Sequence, residues 1–382
     1  MVTRTRTRPT QTLSGSFQVG TGSVSNRTQT SYSASCQDTI TAQPYTDHPF
    51  DVIERVYPVC VLNGTTGTPG NGNYRNIVHL PCITGAPNFN LLPAVPGNST
   101  IATTAMARTN PSRSHVSLPV FLAELRDLPR LIRDTGRLIQ QGKKIVLVGP
   151  NVVGKRDVAR NYLSWQFGWK PLLSDINKML QFSDSVAKRS VELRALYSKG
   201  GLSRRYVYRT DNVGSTTNGL IESAALLLNG RTSITSKRVF WATLKWRPTL
   251  SGLPTRDEDL QALARKLVFG VHSSQQLSNL WEALPWSWLI DWFSDIGDYL
   301  QATNNSVAHT SGFVNVMRHS RTDVRVVPIG VPSWLNATTA NGYTDQKERF
   351  QVTPSPISAT LPFLSGRQLS ILGAISVLKY GR

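Results

Sequence analysis

The rhythm of hydrophobic and polar positions changes several times along this chain. Through residues 1–117 short alternating or β-branched runs, such as Asp51–Tyr57 and Val59–Leu62, are separated by Gly-, Asn-, Thr- and Pro-rich stretches. Alternation with a period of two places one set of side chains on one face of a strand. Asn63-Gly64 and the Gly70-Asn71-Gly72-Asn73 run predict turns, and the 63–73 segment reads as a loop tip. From Leu118 the period lengthens. Phe121, Leu125, Leu128, Ile132, Thr135 and Ile139 recur at helical spacing, with Pro129 predicting a kink. A second helical pattern starts near Val158. A third runs from Leu172 through Ile176, Met179, Val186 and Leu193 to about Tyr197, where Gly200-Gly201 stops it.

Strand alternation returns at 202–247, where Phe240, Ala242, Leu244 and Trp246 oppose Lys245 and Arg247. Thr255-Arg256-Asp257-Glu258 then reads as a capping box with Thr255 as N-cap. Leu260, Leu263 and Leu267 follow on one helical face. Trp281, Leu284, Trp288, Trp292, Ile296 and Tyr299 continue the pattern. The predicted segments are therefore a β region in 1–117, 201–254 and 304–364, and a helical region in 118–200 and 255–303, with a C-terminal helix in 365–382. Clusters of strands and clusters of helices, rather than single strands alternating with single helices, predict an α+β fold: a helical bundle plus an antiparallel β-sheet region, both built from discontinuous segments.

Charge sharpens this picture. The chain of 382 residues carries 42 Lys+Arg against 23 Asp+Glu, a formal net charge of +19. The excess peaks across 121–256, and residues 257–303 form an acidic block. Such a balance points to a polyanionic partner. No apolar run is long enough to span a bilayer, and the Arg/Thr-rich start has no apolar core of a secretory signal. Three cysteines without a CxxC spacing exclude a disulfide scaffold and a Cys-based zinc site, and predict a protein made in a reducing compartment.

Several motifs invite chemistry. Gly149-Pro150-Asn151-Val152-Val153-Gly154-Lys155 follows an apolar run and matches a phosphate-binding loop. Arg156, however, stands where the Mg²⁺-binding hydroxyl is needed. Asp291, Asp295 and Asp298 share a helix face, but a solvated or ion-paired stripe is the simpler account. The histidines show no metal-ligand spacing, so no metal, cofactor or enzymatic activity is expected. The sharper signal is basic. Arg126, Arg130, Arg133 and Arg137 form a stripe beside the apolar one, with only Asp127 and Asp134 among them. Lys143, Lys144, Lys155, Arg156 and Arg160 extend the positive field. Guanidinium groups at that pitch suit successive phosphates. Arg4, Arg6 and Arg8 form a lesser basic arm.

Two segments carry more than composition. Leu163-Ser164-Trp165-Gln166-Phe167-Gly168-Trp169-Lys170-Pro171-Leu172-Leu173-Ser174-Asp175-Ile176, and Trp281-Glu282-Ala283-Leu284-Pro285-Trp286-Ser287-Trp288-Leu289-Ile290-Asp291-Trp292, resemble in order and spacing the signatures of the maturation proteins (A proteins) of small single-stranded RNA bacteriophages. Read as scaffold, Gly168 would break the chain between two helices and Pro171 would start the next. Trp165, Phe167, Trp169, Trp288 and Trp292 would fill a bundle core, with Asp175 and Asp291 in buried hydrogen bonds. Gln166 and Pro285 complete the motif residues. The resemblance implies a virion protein, one copy per particle, made in the host bacterial cytoplasm. It would take the place of a coat-protein dimer, bind the 3′ region of the genomic RNA and attach the particle to a bacterial pilus. A cellular RNA-binding scaffold and a divergent P-loop NTPase are the alternatives.

Overall fold

The computed structural model describes residues 2–40, 48–67, 75–83, 85, 87–114, 159–160, 162–163, 165–170, 174, 181–249, 256–269, 296–303, 307–310, 313–353 and 366–380. The chain forms two compact units, each from three separated segments. The first comprises 1–105, 205–243 and 313–353; the second comprises 106–204, 244–312 and 354–382.

The strands are β1 (Val2–Val19), β2 (Ser25–Ile40), β3 (Phe50–Val56), β4 (Val59–Thr66), β5 (Arg75–Ile83), β6 (Leu202–Glu222), β7 (Leu228–Pro248), β8 (Ala308–Thr310), β9 (Val314–Ile329), β10 (Leu335–Ala337) and β11 (Ala340–Val352). They hydrogen-bond in the order β10-β4-β5-β1-β2-β3-β11-β9-β7-β6, with β8 on β7. β1 and β2 form a long antiparallel hairpin that turns at Gly20, whose φ of 59° glycine adopts without penalty. The register of greatest reach joins β3 to β11, pairing Val56 with Tyr343 and Phe50 with Arg349. β7 shows the expected alternation: Phe240, Ala242, Leu244 and Trp246 are buried, Lys245 and Arg247 exposed.

The core of the first unit joins Cys60, Leu62, Ile77, Leu80 and Cys82 from β4 and β5 to Ile221, Leu226 and Leu228 around the β6–β7 connection, and to Val324 and Val326 of β9. Beside it the sheet contains a bulge that corrects the predicted turn at Asn63-Gly64. Both residues lie inside β4, which runs on through Thr66, while 68–73 of the predicted loop lie outside the described residues. The register slips between Leu62 and Gly64. Opposite, His79 takes φ 48°, and its backbone N–H donates to Asn63 Oδ1 at 2.7 Å. A Cβ on Gly64 would lie 2.5 Å from the Trp334 carbonyl oxygen, and one on Gly15 would fall on the His79 carbonyl. Close backbone approach, not turning, is what these glycines allow.

A further correction concerns residues 1–117, which contain helix α1 (Asn98–Thr109). Its Ser/Thr-rich sequence suggests strand or loop. Thr100, Ile101, Ala102, Thr103, Ala105, Met106 and Ala107 are nevertheless all buried, so burial on nearly every side leaves no polar–apolar periodicity to read.

In the second unit the described helices are the C-terminal end of α1, α2 (Phe182–Ser198), α3 (Asp257–Val268), α4 (Ile296–Ala302) and α5 (Gly366–Tyr380). α2 buries Val186, Ser190, Leu193 and Leu196, and ends before Gly200 (φ 59°) and Gly201 (φ 157°), as predicted. α3 buries Leu260, Ala264, Leu267 and Val268. Its N-cap is Arg256 in an extended conformation without a side-chain cap, rather than Thr255, which lies outside the described residues. Asp257, Glu258 and Asp259 in the first turn suit the positive end of the helix dipole instead. Phe182 stacks on Phe269 with centroids 4.2 Å apart, and Arg194 bonds Asp257 at 2.5 Å, tying α2 to α3. The described fold is thus predominantly antiparallel β. The rest of the expected bundle, 118–158 and 270–295, lies outside the described residues.

Candidate nucleic-acid interface

Of the predicted basic residues, Arg126, Arg130, Arg133, Arg137, Lys143, Lys144, Lys155 and Arg156 lie outside the described residues. Arg160 is helical and exposed. Of the motif residues, Pro171, Asp175, Pro285, Trp288, Asp291 and Trp292 also lie outside. Trp165–Trp169 forms a single π-helical turn that continues into helical Lys170, so Gly168 widens a helix rather than breaking the chain. Trp165 is 52% exposed and Phe167 40%, so neither is the core residue expected. Gln166 Oε1 accepts from Arg367 Nη2 of α5 at 3.0 Å, and Tyr162 shares a hydroxyl hydrogen bond of 2.8 Å with Ser370. Gln166 of the motif and Tyr162 just before it therefore fasten α5 by polar contacts.

The arginines of the first unit are mostly paired. On β1, Arg4 and Arg6 both reach Asp38, at 2.7 and 3.0 Å, and Arg8 donates to the Tyr32 hydroxyl, which in turn donates to Glu54. Arg209 pairs with Asp211, Arg318 with Glu348, Arg321 with Asp323, and Lys347 with Asp345. Arg238, buried, donates to Ser320 Oγ and to the Pro93 carbonyl. Rings add to this: Arg205 lies over Trp241 and Arg321 over Tyr343. The predicted Arg4/Arg6/Arg8 arm is accordingly a strand rung held by its neighbour, not a free basic tail.

The tightest of these pairs is internal. Glu222 is 4% exposed and binds Arg27 through both carboxylate oxygens. It also accepts from the Cys82 thiol at 2.9 Å and from the backbone N–H groups of Ser223, Ala224 and Ala225. Burial alone would raise its pKa; the donors from Arg27, Cys82, Ala224 and Ala225 outweigh burial and hold it at about 2. Burial likewise pushes the Cys60 thiol to about 11, and burial with the Glu222 charge pushes Cys82 up further. Neither thiol is a nucleophile at neutral pH.

The second unit also places a guanidinium inside. Arg189 lies on the buried stripe of α2 and is 6% exposed. It donates to the Pro111 carbonyl at 2.6 Å, to the Arg113 carbonyl at 2.9 Å and to Glu192 at 2.9 Å. Arg204 takes the other oxygen of Glu192 at 2.7 Å. Sequence reading missed this cluster; its one signal was a charge at the position between Val186 and Leu193 where the stripe calls for an apolar side chain. Among the described residues no group of three or more His, Cys, Asp or Glu side chains is placed to hold a metal ion, and no helix is long and apolar enough to cross a membrane.

These features define a basic, mixed α and β chain with a positive excess in both units, 16 basic against 9 acidic side chains in the first and 26 against 14 in the second. Comparison with known proteins gives the class. The phage maturation protein family model matches residues 132–344, more than half of the chain, and the chain belongs to that family. It is also similar to maturation protein A of Enterobacteria phage fr, with 27% identity over 152 residues. That match covers 38% of this chain and 30% of the phage fr protein.

Proposed function

We propose that this chain is a non-enzymatic virion protein of a single-stranded RNA phage. It binds the 3′ region of the genomic RNA, takes the place of a coat-protein dimer in the shell, and attaches the particle to a host bacterial pilus for RNA entry. The observation that carries the reading is the family match over 132–344, which includes the second half of the Arg stripe and both aromatic motifs. The basic charge supports it: the second unit holds 26 basic against 14 acidic side chains, a net excess of 12. Phosphate is the natural partner of such an excess. Attachment falls to the strand region, because recognition surfaces are commonly loops on a rigid scaffold. Arg156 in place of the Mg²⁺-binding hydroxyl argues for RNA contact rather than nucleotide turnover at 149–156.

The test is co-purification. Particles assembled with a tagged chain should carry about one copy each, crosslinked to the 3′ region of the RNA, and should lose pilus adsorption when the chain is omitted. Particles that contain the RNA and adsorb normally without the chain would refute the reading. Steady-state ATP or GTP turnover abolished by Lys155→Ala would restore the NTPase alternative.

A further inference from the structure

The turn that follows α1 is held from three directions. Asn110 Oδ1 accepts from the Ser112 N–H at 2.8 Å, and Asn110 Nδ2 donates to the Gln301 carbonyl at 2.8 Å. Ser112 Oγ accepts from the Val307 N–H at 3.3 Å. Arg189 grips the Pro111 and Arg113 carbonyls from below. The backbone that carries Arg113 is thus fixed, while its side chain is exposed.

Among the described residues, charge around this turn does not balance. Glu192 spends one oxygen on Arg189 and the other on Arg204. Arg113 stands near Arg204 and Arg108 as well as Glu192. Arg108, in the last turn of α1, is exposed too. Among the described residues neither Arg108 nor Arg113 has a side-chain acceptor. Among the described residues Arg189 and Arg204 therefore engage both oxygens of Glu192, and Arg113 and Arg108 are left without a carboxylate of their own. Crowding by protein and the like charges of Arg204 and Arg108 hold the Arg113 pKa below the ordinary arginine value, although it remains cationic at neutral pH. Like charges placed together on a rigid turn are a cost to the free protein, and an anion relieves it. Guanidinium groups present paired N–H donors that match phosphate oxygens.

We propose that Arg113, with Arg108 and Arg204 beside it, is a seat for one phosphate of single-stranded RNA. The seat lies outside 126–156 in sequence, and it rests on the RNA-binding reading above. The fixed backbone anchors the base of the Arg113 side chain, and Glu192 holds Arg204, so less ordering is needed on binding than for a lysine on an unanchored loop.

The experiment uses the full chain and a fluorescent single-stranded RNA oligonucleotide, titrated at several salt concentrations. Arg113→Gln should weaken binding by roughly tenfold, as expected for loss of a charge-assisted hydrogen bond. It should also reduce the slope of log K against log salt by about 0.7, one single-strand phosphate contact. Arg113→Lys should keep the slope and recover only part of the affinity. Arg108→Gln together with Arg113→Gln should lower the slope further. Unchanged thermal melting of each variant shows that the turn still folds. Inorganic phosphate, at constant ionic strength, should compete with RNA on the wild-type chain and less on Arg113→Gln. Wild-type binding with an unchanged slope in Arg113→Gln and in the double variant would overturn the seat alone, and would favour an acidic protein surface as its occupant. Absence of RNA binding by the wild-type chain would overturn the function itself. Phosphate competition equal in wild type and Arg113→Gln would place the anion elsewhere.

Discussion

The two units use arginine in opposite ways. In the first, guanidinium groups are rungs of the sheet. Arg318 meets Glu348 across β9 and β11, Arg321 meets Asp323, and Arg27 meets Glu222, so these guanidinium groups are neutralised where they are placed. In the second, Arg189 and Arg204 exhaust Glu192 and leave Arg108 and Arg113 over. Net charge alone therefore does not locate an interface. What locates it is charge that the fold has not already neutralised.

The largest expected effect concerns the Arg stripe of the second unit, which lies outside the described residues. Replacing Arg126, Arg130, Arg133 and Arg137 with Gln should flatten the slope of log K against log salt for RNA by about 3, if each touches one phosphate. An unchanged slope would assign the stripe to coat protein or solvent. Next comes core against surface among the tryptophans. Trp246 is fully buried and donates from Nε1 to Thr109 Oγ1 at 3.2 Å. Trp246→Ala should lose about 3–5 kcal/mol in denaturant titration. Trp165→Ala, at an exposed position, should stay within about 0.5 kcal/mol. A large loss at Trp165 would restore the motif's expected core role.

The third prediction concerns pH. The folded pKa of Glu222 is depressed from its ordinary value of about 4.5 to about 2 by Arg27, Cys82 and backbone donors that outweigh its burial. Its contribution is therefore complete above the unfolded pKa and disappears as pH falls from about 4.5 to about 2. The size is about 3 kcal/mol, and Glu222→Gln should abolish that part of the acid dependence. An identical acid profile in the variant would show that other carboxylates govern it. Smaller again, Gly64→Ala should cost about 1–3 kcal/mol, because the Trp334 carbonyl is backbone and cannot step aside. The smallest effect is the control for the paired side. Arg321→Gln breaks an exposed ion pair, so it should change stability by less than about 1 kcal/mol and leave the RNA salt slope unchanged.

What was legible in the sequence was whatever a single period reports. β7 and α2 were readable because each has one buried face and one wet face. α1 was not, since a helix buried on nearly all sides has no stripe. Asn63-Gly64 misled because the commonest hairpin dipeptide here serves a bulge, which depends on His79 and Trp334 far along the chain or on another strand. The strand order was also hidden. Pairing of β3 with β11 depends on side chains nearly the whole chain apart, and local alternation carries no information about partners. Trp165 and Phe167 were read as core from their type, but their position on a π-helical turn, not their hydrophobicity, decides their exposure. Arg113 was unreadable for a related reason: its significance lies in which carboxylate its neighbours have already used.

The β3–β11 register has a consequence for biosynthesis. When Val56 emerges from the ribosome, its partner Tyr343 has not been made. At about 5–20 residues per second, the wait is roughly 15–60 s. Throughout it, β1, β2 and β3 can form an antiparallel trio, but the far edge of β3 stays open, an invitation to pair with the wrong strand. Asp51, Glu54 and Arg55 punctuate that edge, and charged residues on an open edge deter mispairing. The same side chains later serve the finished sheet: Gln346 donates to Asp51, and the Tyr32 hydroxyl donates to Glu54. The nascent chain thus carries its own guard against aggregation, and the last strand to be synthesised relieves it of that duty.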